Sequence, residues 1–580
     1  MINKEIKKIL DKIVVDLYQG IKSDFIVESP RQKDFGDYAS NVAMVLAKEL
    51  QKSPMEIAAK IIEKAKAENH QKKLFSKISV IAPGFINFEI SDNRLTVNLN
   101  WILKKKCKFG SSEIGKGKTV IIDYSAPNIA KPMHVGHLRS TIIGQSLYNI
   151  YKFLGYKTIS DSHIGDWGTQ FGKLIYAYKH WGNKKGIDRN PIEEMTKLYV
   201  KFHEEAKKNP ELEEYARIET KKLQEKNDEN IKLWKFLVKE SLKDYNKIYK
   251  ILNIKFDYVL GESFYNKMLL GIVNEAMERK IAIKSEGAIV INLDKYNLSP
   301  FLIQKTDGAY LYTTTDIATA KYRKEKLKAD KILYVVANEQ TLHFQKLFAS
   351  LELLGICENI EKEHIKFGMV FGESGKKFST RKGETVRLTD LIHRSIEFAQ
   401  MVIEEKNPKL SRNEKKKIAK KIGIGAVKYN DLSQNRLTDI VFDWDKILSF
   451  EGNSAPYLLY TYARINSLVE KYNKTYKLNR INILDKLDLG LLKDNLEKDI
   501  MKKLLKFPEI VENSANENSP HFIALYIYEL SSLYNGYYNS VQIIKSEKKI
   551  TRARIALSKS VAITVKNGLN LLGIDVLERM

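Results

Sequence analysis

The sequence predicts a multidomain α/β protein built from three units in series: a small α+β unit, a larger unit around a parallel sheet, and an all-α bundle. Three observations carry this. In the middle of the chain, apolar β-type runs at 119–123, 156–160, 287–293 and 332–337 alternate with helical patterns. Before them, strand-like segments flank a Pro-Gly turn. After about residue 400 such runs stop, and helical patterns rich in Leu, Ile and Tyr take over.

The elements follow in order. Within 1–110, Ile6, Leu10, Ile13, Val14 and Leu17 recur at helical spacing. The segment Lys33-Asp34-Phe35-Gly36-Asp37-Tyr38-Ala39-Ser40-Asn41 comes next, then a helix through Val45, Leu46 and Leu50. Residues 78–88 alternate like two strands around Pro83-Gly84. Across 111–400 the alternation of strands and helices favours a parallel sheet of Rossmann type. Between about 185 and 255 the chain is charged and helical, with Leu223, Ile231, Leu233, Leu237 and Leu242, and reads as a helical insertion between two halves of that fold. Residues 401–580 predict the bundle, with basic stretches at Lys415-Lys416-Lys417 and across 545–559.

The chain has 580 residues, enough for several domains, and 97 Lys+Arg against 71 Asp+Glu give a net charge of +26. A polyanion is the natural partner of such a surface, although a lysine-rich composition alone produces the same excess. Cys107 and Cys357 stand far apart, so neither a disulfide framework nor a zinc site is expected. The start of the chain has no secretory apolar region, and no apolar run is long enough to span a bilayer. A cytoplasmic protein without a membrane partner is expected.

The most informative stretch is Ser125-Ala126-Pro127-Asn128-Ile129-Ala130-Lys131-Pro132-Met133-His134-Val135-Gly136-His137-Leu138-Arg139-Ser140-Thr141. It links the strand-like run Thr119-Val120-Ile121-Ile122 to a helical pattern. A helix opening there exposes backbone N–H groups and the positive dipole end, which suits a phosphate. His134 and His137 can donate hydrogen bonds to a phosphate gaining charge. Gly136 lets a planar base approach the backbone.

This string resembles the first signature of class I aminoacyl-tRNA synthetases, in the form carried by the arginyl-tRNA synthetase family. The segments around Phe35-Gly36-Asp37-Tyr38 and Pro83-Gly84-Phe85-Ile86-Asn87-Phe88 are similar to that family's N-terminal additional domain. Tyr457-Leu458-Leu459-Tyr460-Thr461-Tyr462-Ala463-Arg464-Ile465 resembles the start of its anticodon-binding bundle, and residues 571–580 its C-terminus. The resemblance covers most of the chain. It implies an N-terminal additional tRNA-binding domain at 1–110 that contacts the tRNA elbow, a class I catalytic domain at 111–400, and an anticodon-binding domain at 401–580. It also implies activation of L-arginine with ATP to arginyl-adenylate. Transfer to the 3′ terminal adenosine of tRNA(Arg) follows, releasing AMP and pyrophosphate. ATP would carry Mg2+, which needs no dedicated protein cage; no zinc is expected, and a monomer is.

The resemblance assigns His134, Gly136 and His137 to ATP. Gly375-Lys376-Lys377-Phe378-Ser379-Thr380-Arg381-Lys382-Gly383 resembles the second class I signature. Lys377 and Ser379 fit that pattern and would bind ATP, but Thr380 stands where the second lysine belongs. The family implies Lys131 as the substitute cation, with Arg381 and Lys382 as competitors. Asp123, Ser125 and Asn128 would surround the amino acid, with Asn128 on its backbone polar groups. Arginine's guanidinium is a planar fork of donors that carboxylates match and aromatic faces stack on. The family match places Tyr312 and Asp316 on that side chain, and a spacing of four puts them on one helical side. Gln340 falls at the amino-acid site with His343 near it. Asp161-Ser162-His163-Ile164-Gly165-Asp166-Trp167-Gly168-Thr169-Gln170 resembles a further family segment, to which a structural role is assigned. A separate editing domain is not expected, because hydrogen bonding to a guanidinium can reject near-analogues unaided.

Alternatives are another class I synthetase, a nucleotidylyltransferase with the same His-x-Gly-His turn, or a silent RNA-binding relative. A glutamyl enzyme would need cations where Tyr312 and Asp316 stand, and a cysteinyl enzyme would need zinc ligands. A nucleotidylyltransferase has no need of two flanking basic domains. Intact His134, Gly136, His137 and Asp316 argue against a silent relative.

Overall fold

The structure, a computed structural model, describes all residues except 20, 22, 31, 373–385, 477–486 and 545–546. At the N-terminus, the helix Ile2–Tyr18 buries Ile6, Leu10, Ile13 and Val14. It packs with a four-stranded antiparallel sheet of β1 (Val27–Glu28), β2 (Tyr38–Ser40), β3 (Phe75–Ile81) and β4 (Phe85–Ile90), ordered β1-β2-β4-β3.

Gly36, Asp37 and Tyr38 of the Phe-Gly-Asp-Tyr segment serve as turn and docking residues of the small unit. Gly36 has φ +85°, and a Cβ there would lie 2.9 Å from the Phe88 carbonyl oxygen. Asp37 accepts the Ile90 N–H at 2.7 Å and pairs with Lys502 at 2.9 Å. The Tyr38 hydroxyl donates to Glu509 at 3.0 Å. Its polar side chains thus dock this unit on helices Asn495–Leu505 and Phe507–Asn516 of the helical bundle.

The central unit starts with β5 (Thr119–Asp123), the signature helix Val135–Phe153 and β6 (Lys157–Ser162). The insertion supplies helices Lys184–Arg189, Pro191–Lys208, Glu211–Gln224 and Asp228–Ile251. β7 (Tyr258–Val259), β8 (Ala282–Ser285), β9 (Ala288–Ile291) and β10 (Phe301–Gln304) follow, then the helix Tyr312–Glu325, β11 (Lys331–Tyr334) and β12 (Glu361–His364). Five of these strands form a parallel sheet in the order β12-β11-β5-β6-β7. The chain first winds outward from β5 through β6 and later returns to add β11 on the other side. That reversal opens a crevice beyond the carboxyl ends of β5 and β11.

The run at 287–293 does not join this sheet. It forms β9, antiparallel to both β8 and β10. Glu286 and Gly287 both have positive φ, 48° and 81°, and such a two-residue turn closes a hairpin. Strands also recur after residue 401. β13 (Val370–Phe371) pairs in parallel with β14 (Ile440–Val441), which at two residues is too short to show a sequence period.

The remaining helices pack against the sheet unit. Ser411 and Glu414 close a capping box on helix Arg412–Leu432. Lys428 on that helix is buried and donates at 2.6 Å to the carbonyls of Leu252 and Gly573. Ser146 of the signature helix donates to the Leu571 carbonyl at 3.0 Å. Arg139 of the same helix pairs with Asp431 at 3.1 Å and donates to the carbonyls of Thr438 and Arg436 at 2.9 and 3.2 Å. The signature helix is therefore tied to the bundle at two points, two turns apart along one face.

Candidate active site

His134 is the N-cap of the signature helix. Its Nδ1 accepts the Gly136 N–H at 3.1 Å, and the Nδ1 of His137 accepts the His134 N–H at 3.1 Å. The two rings sit 3.9 Å apart, centre to centre. Burial and the nearby Lys131 lower the His134 pKa, while burial and His134 push His137 down to about 3. Both imidazoles are neutral at neutral pH. Because each Nδ1 accepts a backbone N–H, the hydrogen bonds assign the remaining proton to Nε2. The pair thus offers two N–H donors at a helix N-terminus. Gly136 meets a further requirement: a Cβ there would come within 2.8 Å of the His134 ring.

The second signature, with Lys377 and Ser379, lies outside the described residues. The chain after it returns to the first signature. Val135 N–H donates to the Val386 carbonyl at 3.2 Å, and Leu388 N–H to the Met133 carbonyl at 2.9 Å. Lys131 is half-buried, with its ammonium 4.5 Å from the centre of the Tyr199 ring.

Around the crevice, Asn128 is exposed, and Gly165 leaves room for it, since a Cβ there would lie 2.2 Å from Asn128 Oδ1. Gln340 is exposed on the turn Asn338–Gln340 that follows β11. Two expectations change. Asp123 is buried, and its Oδ2 is held by Arg323 at 2.7 Å; Arg323 also binds Asp161 at 2.8 Å. A carboxylate already neutralised by a wholly buried guanidinium is not an open acceptor for substrate. Ser125 is also wholly buried, with its hydroxyl tied to Tyr249 at 2.9 Å and Thr141 at 2.7 Å.

Tyr312 and Asp316 fall on the first turns of the helix Tyr312–Glu325. Tyr312 is 59% exposed, free to stack on an incoming planar cation. Asp316 Oδ2 lies 2.7 Å from His343 Nε2, so His343 orients the carboxylate. Beside them is a cavity of about 600 Å³ lined by Trp167, Gln170, Glu262, Tyr310, Tyr312 and Thr315. The Asp161–Gln170 segment, given a structural role from sequence, is therefore mixed. Asp166 holds Ser263 through its N–H at 2.9 Å and its hydroxyl at 2.6 Å, while Trp167 and Gln170 line the cavity.

Glu262 is the residue that sequence reasoning missed. Burial, with the carboxylates of Asp316 and Asp166 nearby, pushes its pKa up to about 8. No short-range pattern marks it, because it sits 54 residues before Asp316. A guanidinium entering this cavity would favour the ionised form of Glu262. If arginine is the ligand, its KM is therefore expected to fall up to tenfold per pH unit as pH rises towards 8, then level off. Steady-state exchange kinetics from pH 6 to 9 check this, and a KM that is flat below pH 8 would contradict it.

Residues 98–444 match the family described as tRNA synthetases class I (R), catalytic domain. Residues 458–580 match the DALR anticodon binding domain, and residues 1–90 the arginyl tRNA synthetase N terminal domain. An arginine–tRNA ligase of Fusobacterium nucleatum is 44% identical over 580 residues, covering 100% of this chain and 99% of that one. The chain belongs to the arginyl-tRNA synthetases. A second arginine–tRNA ligase, of Clostridium botulinum, is 42% identical over 557 residues, 96% of each chain. The crystal structure of arginyl-tRNA synthetase from Plasmodium falciparum superposes with a TM-score of 0.83 at 28% identity, covering 100% of this chain and 99% of that one. The Thermus thermophilus arginyl-tRNA synthetase shares the fold at a TM-score of 0.80 and 22% identity over 100% of both chains. Among the described residues of this synthetase, no group of three or more His, Cys, Asp or Glu is placed to hold a metal ion. Among the same residues, no helix is long and apolar enough to cross a membrane.

Proposed function

We propose that this synthetase activates L-arginine in the crevice above β5 and β11 and transfers it to tRNA(Arg), with the residues described in the following roles. The observation that carries this reading is one juxtaposition. A cavity with a free tyrosine face and two neighbouring carboxylates, Glu262 and Asp316, lies in the same sheet unit as a helix N-terminus that presents two imidazole N–H donors.

Tyr312 stacks on the guanidinium, and Asp316 and Glu262 accept its hydrogen bonds. Asn128 and Gln340 hold the amino-acid backbone. ATP enters with Mg2+ across its phosphates as the substrate complex. The arginine carboxylate attacks the α-phosphate. As charge spreads onto phosphate oxygens, His134 and His137 donate through Nε2, and the helix N-terminus adds its dipole. The Lys131 ammonium leaves the Tyr199 ring and faces the departing pyrophosphate, in place of the lysine that Thr380 replaces. Lys377 and Ser379 hold ATP from the opposite side. The terminal adenosine of tRNA then attacks the adenylate carbonyl, the acyl–phosphate bond breaks, and AMP leaves.

The bundle serves tRNA. A cavity of about 610 Å³ there is lined by Tyr460, Arg464, Lys471, Tyr538 and Met580. Arg464 lies 4.7 Å from the Tyr460 ring and 5.0 Å from the Tyr538 ring. Aromatic faces with an interleaved cation suit an unstacked nucleobase. In this reading 1–110, 111–400 and 401–580 are the elbow-binding, catalytic and anticodon-binding domains of a cytoplasmic monomer.

ATP–pyrophosphate exchange across twenty amino acids, with and without total tRNA, tests the assignment. Arginine alone should support exchange. Exchange with any other amino acid at a comparable rate would overturn it.

A further inference from the structure

The insertion does more than separate the two halves of the sheet. Its longest helix, Asp228–Ile251, buries Ser241, Tyr245 and Tyr249 at intervals of four, so their three hydroxyls lie on one face. That face meets the turn between β5 and the signature helix. Ser241 Oγ accepts the Ala130 N–H at 2.9 Å. The Tyr245 hydroxyl reaches the carbonyls of Asn128 at 2.6 Å and Lys131 at 2.9 Å, sharing one proton between them. The Tyr249 hydroxyl joins Ser125 Oγ at 2.9 Å.

The turn needs such support. Ser125 and Ala130 both have positive φ, 57° and 64°, a backbone region costly for residues with a Cβ. A buried helical face is normally apolar, so three hydroxyls in register imply partners that must be held. The two carbonyls bound by Tyr245 belong to the residues that the reading above places at opposite ends of the reaction. Asn128 is at the amino acid, and Lys131 at the pyrophosphate.

We infer that Tyr245 is a positioning residue for adenylate formation, fixing Asn128 and Lys131 relative to each other through their main-chain carbonyls. The inference rests on the roles proposed for those two residues. It makes the insertion part of the catalytic apparatus, although no side chain of its longest helix needs to touch substrate.

The test is single-turnover adenylate formation and arginine KM in Tyr245→Phe, Lys131→Ala and the double variant, with melting temperature in parallel. Phenylalanine keeps the buried ring and removes only the hydroxyl. Tyr245→Phe should slow adenylate formation at least tenfold and raise arginine KM. The double variant should be within about twofold of Lys131→Ala, because the hydroxyl acts through that residue. A normal rate and KM in Tyr245→Phe would overturn the inference, as would losses that simply multiply in the double variant. If Lys131→Ala keeps full speed, the pyrophosphate role of Lys131 is lost, and a raised arginine KM in Tyr245→Phe upholds positioning through Asn128. If Tyr245→Phe does not fold, Ser241→Ala is read instead, since it frees the Ala130 N–H within the same turn. A wild-type rate in Ser241→Ala overturns the inference.

Discussion

Asp316→Ala is expected to cut kcat/KM for arginine by roughly 100-fold or more, because a hydrogen bond to a charged group is worth about 3 kcal/mol. ATP KM should hardly change, since Asp316 lies on the helix Tyr312–Glu325 and not on the signature turn. A second effect separates this from general damage. Asp316 is one of the two carboxylates that raise the Glu262 pKa, so its removal should move the pH dependence of arginine KM to lower pH. Near-normal arginine kinetics would remove Asp316 from the pocket. An unmoved pH profile would separate it from Glu262.

His137→Ala is expected to lower kcat for adenylate formation by about 10²–10³-fold with little change in arginine KM, the usual cost of losing one preorganised donor to a transition-state oxyanion. The same ring also accepts the His134 N–H, so a stability loss of about 1 kcal/mol should accompany it. Stopped-flow adenylate formation and thermal melts read the two effects separately. If stability falls and kcat does not, the ring is a helix cap alone. His137 itself should add no step to the rate between pH 6 and 8, because burial and the neighbouring His134 push its pKa down to about 3.

What the sequence showed and what it hid divide along contact distance. The signature turn was legible because strand, turn and helix start lie within about twenty consecutive residues and their chemistry is local. That Tyr312 and Asp316 share one side of a helix was legible for the same reason, since they are one helical turn apart. Glu262, Arg323 and Tyr245 reach the site only after the chain has folded back on itself. Tyr245 meets Lys131 across 114 positions, and Arg323 meets Asp123 across 200. Nothing in a local window reports such a pairing. Arg323 also explains why Asp123 looked like a ligand: a carboxylate at the end of a central strand suits either substrate or a buried partner, and only the fold decides. The run at 287–293 showed that β-propensity identifies a strand and not its sheet. The positive-φ pair Glu286-Gly287 was the local clue to a hairpin. Within the Phe-Gly-Asp-Tyr segment, Gly36, Asp37 and Tyr38 are held between their own sheet and the bundle, with Tyr38 meeting Glu509 across 471 positions.

The central claim is that paired carboxylates read the guanidinium charge. Single-turnover adenylate formation with arginine and with citrulline, its neutral isostere, tests this most directly in the wild-type protein and in Asp316→Asn. The wild type should prefer arginine by roughly 10⁴-fold, as expected when buried polar groups would otherwise be left unpaired. Asp316→Asn should narrow that ratio at least tenfold. An unchanged ratio in Asp316→Asn, or ready activation of citrulline by the wild type, would contradict the account.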